Sequence, residues 1–140
     1  MKAIDYMSIF AYNNINGGET KMDPVEILKA LADETRMRIL NLLRFGQLCV
    51  CEIEDILEIN QSNASRHLTK LKGAKIIVAH KQSQWVYYSL NQKLLTDHPF
   101  IRVLLEQELE RDDCYRRDKE RWHKFQELGG DCAHKIVLEA

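Results

Sequence analysis

The chain has 140 residues, 45% hydrophobic and 29% charged, which is the composition of an ordinary globular protein of one domain. No apolar run approaches the roughly 18 residues that a membrane-spanning helix needs. The N-terminus also lacks the small-residue cleavage site of a secretory signal. We therefore expect a cytoplasmic protein with no membrane partner, whose four cysteines are mostly reduced thiols rather than a disulfide framework.

The net charge of −1 conceals an uneven distribution of charge along the chain. Residues 59–96 contain no Asp or Glu but several basic residues, which give this segment a formal charge of +6 and leave −7 for the rest. The basic residues are Arg66, Lys70, Lys72, Lys75, Lys81 and Lys93. A solvated basic face would account for part of this pattern. Because phosphate binding depends on the local field rather than on the total charge, the segment favours contact with nucleic acid.

The first predicted elements are an N-terminal extension and two helices. Residues 1–21 are weakly patterned and end at a Gly-Gly pair. Asp23 followed by Pro24 has the residue types of a helix N-cap and a first helical position, so a short helix should begin there. Asp33 can cap a second helix over 34–45.

Two further helices are predicted after a glycine break. Apolar residues at helical spacing predict a third short helix over about 51–58. A fourth helix is capped by Asn60 or Ser62 and runs to about Gly73.

The segment after the fourth helix predicts a β-hairpin. Residues 76–78 open a strand, 82–84 form a polar turn, and 85–90 make the returning strand. Four helices followed by a hairpin have the order of a winged helix-turn-helix, which we assign to residues 22–95.

A long charged helix is predicted over about 99–128. Its apolar positions form a stripe broad enough for a partner helix. They are Ile101, Leu105, Leu109, Tyr115, Trp122 and Phe125. We therefore assign residues 96–128 to a C-terminal dimerisation helix and residues 129–140 to a flexible tail. The expected fold class is mainly α with a small β-hairpin wing.

The fourth predicted helix carries the residue types that read DNA. In a helix-turn-helix, the N-terminal residues of the second helix lie in the major groove. The side chains expected to bind base edges or phosphate are Gln61, Ser62, Asn63, Ser65, Arg66, His67 and Lys70. At the tip of the hairpin, Lys81 and Gln84 should reach the flanking backbone or the minor groove.

Two cysteines, Cys49 and Cys51, stand one residue apart shortly before the predicted DNA-reading helix. Soft thiolates suit ions such as As(III), Cd(II), Pb(II) and Zn(II). Because residues two apart in a helix are rotated by about 200°, both sulfurs should face one ion only if the first helical turn distorts. The alternative is that both cysteines are small core hydrophobes.

Four stretches of the chain, ALADETRMRILNLL, LCVCEIEDIL, NQSNASRHLTKLK and WVYYSL, resemble successive signatures of the arsenic-repressor (ArsR/SmtB) family of metal-sensing transcriptional repressors. The resemblance covers about residues 22–95. It implies a homodimeric winged helix-turn-helix repressor that leaves its double-stranded operator DNA when an inducer binds. The family usually has Gly near Lys75, so Lys75 should adopt a left-handed conformation unless Gly73 takes over the turn.

The resemblance also bears on the inducer site. The family's arsenite arrangement resembles CxCxxC, but Glu54 stands at the third position here, and residues 1–21 contain no cysteine that could complete the pair. As(III) prefers three thiolates. We expect the metal ligands to be Cys49, Cys51 and Cys114, the last from the same chain or its dimer partner. Cys132 or a small thiol in solution are the other sources of a third sulfur.

Other functions remain open at this point. The same fold could serve a thiol redox or persulfide sensor, a Cd, Pb or Zn sensor, or an architectural DNA-binding protein with incidental cysteines. An enzyme is not expected, because the chain shows no paired carboxylates flanking a pocket, no Ser/His/Asp order and no Gly-rich phosphate loop. No organic cofactor is expected either.

Overall fold

The computed structural model describes residues 22–130. The helices are α1 (Pro24–Leu31), α2 (Glu34–Leu43), α3 (Val50–Leu57), α4 (Gln61–Gly73), α5 (Gln92–Asp97), α6 (Pro99–Val103) and α7 (Asp113–Glu127). The strands are β1 (Leu48–Cys49), β2 (Ile77–Gln82) and β3 (Trp85–Leu90). The predicted order of four helices and a hairpin is confirmed. The N-terminal extension, most of the tail and Cys132 lie outside the described residues.

Local capping explains where three of the helices begin. Asp23 accepts a hydrogen bond from the N–H of Val25 (2.9 Å) at the start of α1, and Asp33 accepts one from Arg36 (3.0 Å) at the start of α2. Asn60, rather than Ser62, caps α4. Each bond satisfies a backbone donor that has no partner within its helix, so these short polar side chains fix the positions of the helices that carry the site.

The hairpin is part of a three-stranded antiparallel sheet in the order β1-β3-β2. Strands β2 and β3 pair from Ile77↔Leu90 to Gln82↔Trp85, and Ser83 occupies the tight turn with a positive φ of 56°. Strand β1 was not predicted, because two residues are too few to show an alternating pattern. Its pairing with β3 ties the segment before α3 to the hairpin.

The turn after α4 has the strained geometry predicted for it. Lys75 has a φ of 61°, in the left-handed region that favours glycine. Gly73 remains in the last turn of α4 and has not taken over this role. The conformation directs the chain from α4 into β2.

The prediction of a single long helix over 99–128 is wrong. The helix that begins at Pro99 continues as a π-helical turn and a 3-10 turn and ends at Arg111. Asp112 is extended (φ −102°, ψ 131°), and its carboxylate accepts the N–H of Cys114 (2.8 Å), which starts α7 as a separate helix. A capping aspartate thus interrupts a segment whose apolar periodicity looked continuous.

The apolar stripe that was predicted to bind a partner helix also differs from the prediction. Ile101, Leu105 and Leu109 are 0%, 1% and 5% exposed, because they pack into the core of their own chain. Helix α7 docks on α2 through the ion pair between Arg38 Nε and Asp118 Oδ2 (2.7 Å). The first half of the predicted stripe is therefore part of the core, whereas Tyr115, Trp122 and Phe125 on α7 are only partly buried against it. No helix within residues 22–130 has the length and apolar character needed to cross a bilayer.

Candidate DNA interface and thiol site

The exposed face of α4 carries most of the residues predicted to read DNA. Gln61, Ser62, Ser65, Arg66 and Lys70 are exposed, and Asn63 is half-buried. The guanidinium of Arg66 donates to Asn63 Oδ1 (2.9 Å), which holds it near the N-terminal turn of the helix. The structure thus brings hydrogen-bonding groups together on one solvent-facing surface, the arrangement needed to contact base edges.

The tip of the hairpin places the two wing residues as predicted. Lys81 lies next to the end of β2, Gln84 lies in the turn, and both are exposed. His80, on the same strand, is also exposed and stacks on Tyr87 with ring centroids 6.0 Å apart. The wing therefore presents a cation and an amide to solvent beyond the helical surface.

His67 does not lie on the exposed face of α4, where it was expected to contact DNA. Its side chain is buried rather than available to DNA, with a residue exposure of 6%. The reason is helical spacing, because His67 falls three residues after buried Ala64 and four before buried Leu71, on the inward stripe of α4. Its Nδ1 atom lies 3.2 Å from Arg36 Nη1. The prediction that His67 contacts DNA is therefore corrected.

The surroundings of His67 favour its neutral form. Burial lowers the pKa of His67 below the ordinary 6.5, and the charges of Arg36 and Arg66 lower it further, whereas Asp33 opposes the shift. A neutral imidazole can accept a hydrogen bond from a guanidinium, which has only donors. His67 thus acts inside the fold, as an acceptor for Arg36.

The two clustered cysteines face one another at the start of α3. The Sγ atoms of Cys49 and Cys51 lie 3.2 Å apart. The expectation that this requires a distorted helical turn is wrong, because Cys49 is the extended N-cap (φ −88°, ψ 169°) and only Cys51 is helical. Cys49 is buried and Cys51 is half-buried. One sulfur therefore reaches the protein surface and the other adjoins the core.

A buried carboxylate holds the backbone at this site. Glu52 is 5% exposed, and its Oε1 accepts the N–H of Cys49 at 3.0 Å. This role of Glu52 was not predicted, although a glutamate three positions after an N-cap is the signature of a capping box. Glu52 fixes the turn that brings the two sulfurs together.

The third predicted ligand lies apart from this pair. Cys114 is half-buried in the first turn of α7, with its Sγ 3.9 Å from Glu34 Oε1. Burial raises the pKa of the Cys114 thiol, and the charge of Asp118 raises it further, so the thiol form is favoured. Among residues 22–130, no group of three or more His, Cys, Asp or Glu side chains is arranged to hold a metal ion. The assignment of Cys114 as a ligand stays a prediction.

An apolar groove of about 580 Å³ lies between α1 and the helix that begins at Pro99. Its lining is almost entirely hydrophobic: Leu28, Leu31, Ala32, Met37, Phe100, Val103, Leu104 and Glu108. Leu28 is 53% exposed and Phe100 is 40% exposed. A contiguous exposed apolar patch marks an interaction site more often than isolated exposed apolar residues do.

Comparison with known proteins finds similar bacterial transcription regulators. The sequence model described as "Bacterial regulatory protein, arsR family" matches residues 33–78. The arsenic resistance transcriptional regulator ArsR1 of Pseudomonas putida is 43% identical over 74 residues, covering 52% of this chain and 58% of that protein. A cadmium resistance transcriptional regulatory protein CadC homolog of Staphylococcus aureus is 40% identical over 87 residues, covering 59% of this chain and 72% of that protein.

The solved structures include a homodimeric winged helix-turn-helix DNA-binding domain from Mycobacterium bovis, described as a possible ArsR-family transcriptional regulator. It has a TM-score of 0.52 and 22% identity, and the match covers 81% of this chain and 97% of that one. At this identity the similarity shows a common fold, the winged helix-turn-helix. The chain spans little more than half the length of ArsR1 and nearly three quarters of the CadC homolog.

Proposed function

Because the chain belongs to the arsR family of bacterial regulatory proteins, we propose that it is a homodimeric transcriptional repressor. It binds double-stranded operator DNA and leaves it when a thiophilic metal or metalloid binds its cysteines, with As(III) first. The observation that carries the proposal is the facing pair of sulfurs, Cys49 and Cys51, at the start of the helix that leads into α4. The names of the arsenic and cadmium relatives support this class of inducer.

DNA binding is supported by the exposed face of α4 and by the wing. Arg66 and Lys70 on the helix and Lys81 on the hairpin all belong to the segment of charge +6. The helix supplies hydrogen-bonding side chains for the major groove. The wing supplies a cation for the flanking phosphates. Contacts of these two kinds give a protein both sequence preference and register on the duplex.

The proposed dimer interface is the apolar groove between α1 and the helix beginning at Pro99. The occupant we propose is a second copy of the chain, which would cover Leu28 and Phe100 with the same apolar surface in a two-fold contact. The homodimeric state named for the Mycobacterium bovis domain supports this choice. Two DNA-reading helices would then meet two half-sites about one helical turn, roughly 34 Å, apart.

The thiol pair is placed to affect both DNA-contacting elements. Cys49 ends β1, which pairs with β3 of the wing, and Cys51 lies in the first turn of α3. Helix α3 is followed after a short turn by α4. Because the two sulfurs already lie 3.2 Å apart, a change in the angle between β1 and α3 would come from the third ligand of the bound ion, which would pull on this junction. That change would move the wing relative to α4 and misalign them on the operator.

The third sulfur preferred by As(III) would come from elsewhere. Cys114 of the same chain lies beside Glu34, so its participation requires either a movement of α7 or the copy of Cys114 in the second chain. Cys132 and a small thiol in solution are the alternatives. A third sulfur from the second chain would tie the inducer site to the dimer.

A second candidate function is a redox or persulfide sensor of the same fold. The closeness of the two Cys49 and Cys51 sulfurs favours it, because an oxidant such as a peroxide could take two electrons and two protons from the thiols and leave a bridge between them. Such a bridge would act on the same β1–α3 junction. The inducers differ, so the two functions are separable.

Titration of an operator complex with candidate inducers tests the proposal. An operator is first obtained by selection from random duplex DNA, and release is then followed by fluorescence anisotropy. Release by As(III), Sb(III), Cd(II), Pb(II) or Zn(II) under reducing conditions supports the repressor proposed here. Release only by peroxide or polysulfide supports the redox sensor, and release by none would leave an architectural DNA-binding protein.

A further inference from the structure

Buried His67 joins the DNA-reading helix to the turn between α1 and α2. Its Nδ1 atom lies 3.2 Å from Arg36 Nη1 and 3.7 Å from Asp33 Oδ1. Asp33 is the cap of α2 and Arg36 lies in the first turn of that helix. These three side chains, which we call the His67 node, are part of the fold and not of the exposed DNA-contacting face.

Arg36 extends the node to α1. Its Nε donates to the carbonyl of Ala30 (2.5 Å) and its Nη2 donates to the carbonyl of Lys29 (3.2 Å). These carbonyls belong to the end of α1, where backbone acceptors lack partners within the helix. A single guanidinium thus connects α1, α2 and α4. Because α1 also lines the apolar groove, the node lies between the proposed dimer interface and the DNA-reading helix.

We propose that His67 is a positioning residue for DNA recognition, and that proton uptake by His67 releases α4 from Arg36 and weakens operator binding. The inference rests on the proposed operator binding. It adds a second control, by protons, that does not involve the cysteines.

The chemistry of the node gives the direction of the effect. A guanidinium has only donors, so Nδ1 must accept from Arg36, which requires a neutral imidazole with its proton on Nε2. When His67 takes up a proton, both ring nitrogens become donors and the Nδ1–H faces a donor. The Arg36–His67 hydrogen bond is then lost, and the ring can keep a bond at Nδ1 only by turning toward Asp33.

The charged groups that face His67 come from three parts of the fold. Asp33 lies in the turn between α1 and α2, Arg36 on α2, and Arg66 on α4. Burial and the two arginines lower the pKa of His67 below 6.5, against the opposing effect of Asp33. The node is therefore intact at neutral pH and opens as the pH falls through this lowered pKa.

A matched substitution separates positioning from simple electrostatics. In His67→Asn, the side-chain Oδ1 can occupy the place of Nδ1 and accept from Arg36, but the amide takes up no proton in this pH range. Extra positive charge alone would make the wild type bind DNA more tightly in acid. Loss of the Arg36–His67 hydrogen bond predicts the opposite, weaker DNA binding in acid. His80→Asn, placed in both proteins, removes the exposed histidine of the wing from the comparison.

The experiment measures operator affinity from pH 7.5 to 5.5 for His80→Asn and for His67→Asn/His80→Asn. We expect equal affinities at pH 7.5 and, as the pH falls to 5.5, binding that becomes progressively weaker when His67 is present, by less than tenfold at pH 5.5 because the pKa of His67 lies below 6.5. Parallel pH profiles, or a relative gain in acid when His67 is present, would overturn the inference. A protein that binds no DNA at any pH would overturn the proposed function as well.

A second measurement needs no substitution at His67. NMR titration of the His67 ring gives its pKa in the free protein and in the operator complex. Because linkage is reciprocal, a proton that weakens DNA binding must itself bind less readily when DNA is bound. We expect a lower pKa in the complex. An unchanged or higher pKa there would overturn the inference even if His67→Asn failed to fold.

Discussion

The backbone of Cys49 pairs with that of Tyr87 across β1 and β3, so one of the two clustered cysteines belongs to the sheet of the wing. Its neighbour Cys51 belongs to α3, the helix that precedes α4. A ligand that bridges the two sulfurs therefore connects the sheet of the wing to the helix that leads into α4. This relationship is the structural basis of the inducer response that we propose.

The DNA interface is tested by removing one cation from the helix and one from the wing. Arg66→Ala should weaken operator binding by about 1–3 kcal/mol if the guanidinium makes a bidentate contact with a base. Lys81→Ala should cost less and reduce the dependence of affinity on salt, because a phosphate contact releases counterions. Arg116→Ala, an exposed arginine on α7, is the control. Affinity that is insensitive to both substitutions and to salt would exclude this interface.

The dimer interface is tested in the apolar groove. Leu28→Glu places a charge on a half-exposed groove residue, so it should convert the dimer to monomers and reduce operator affinity through loss of the second half-site. Leu128→Glu is the matched control, since Leu128 is 72% exposed at the end of α7 and does not line the groove. Sedimentation velocity measures both. A stable Leu28→Glu dimer would place the interface elsewhere.

The docking of α7 is tested at its buried ion pair. Asp118→Asn leaves Arg38 without its charged partner, and we expect the free energy of unfolding to fall by about 2–4 kcal/mol, less than for a fully buried pair because Arg38 is partly exposed. Asp113→Asn, at an exposed site on the same helix, should change it by less than about 0.5 kcal/mol. Urea denaturation gives both values. Equal effects would show that α7 is not held by this pair.

Stability should also depend on pH through His67. Its folded pKa is lowered below 6.5, so the unfolded chain binds a proton more readily than the folded one. The contribution of neutral His67 to the free energy of unfolding is complete above about pH 6.5. It is lost as the pH falls from there through the pKa of His67 in the folded protein. Urea melts at pH 7.5 and 5.5 should show a larger loss for the wild type than for His67→Asn. An equal loss would contradict the lowered pKa.

Much of the fold followed from local rules. Asp23 and Asp33 were predicted as caps because the hydrogen bond involves only neighbouring residues. The caps depend on chemistry within a few residues, which is why they could be predicted from the sequence alone. The strained turn at Lys75 was expected from the resemblance, because the family usually has a glycine there.

Most of the wrong predictions concern features that depend on contacts between residues far apart in the sequence. An apolar stripe shows that Ile101 and Leu105 are buried but not what covers them, and the covering surface is the chain's own core. His67 was placed on DNA because it is polar, although its spacing from Ala64 and Leu71 already put it on the inward side of α4. Only its partner, Arg36 on another helix, could not be predicted from local sequence. The two sulfurs were expected to face one ion only after distortion of a helical turn, because the two-residue strand that holds Cys49 cannot be recognised without the strand with which it pairs.

The source of the third sulfur is a separate prediction. X-ray absorption of the As(III) complex should show three sulfurs around arsenic in the wild type. Cys114→Ser should reduce this number and weaken induction, whereas Cys132→Ser should do little. Fewer than three sulfurs in the wild type would remove Cys114 from the proposed site while leaving the pair in place.

The most direct test of the central proposal is As(III)-driven release of the operator, followed by fluorescence anisotropy under reducing conditions, for the wild type and for Cys49→Ser/Cys51→Ser. Both proteins should bind the operator with similar affinity before inducer is added, since neither cysteine lies on the exposed face of α4. The wild type should be released by As(III) and the double mutant should remain bound. Full release of the double mutant by As(III) would contradict the proposal that this pair of thiols is the trigger.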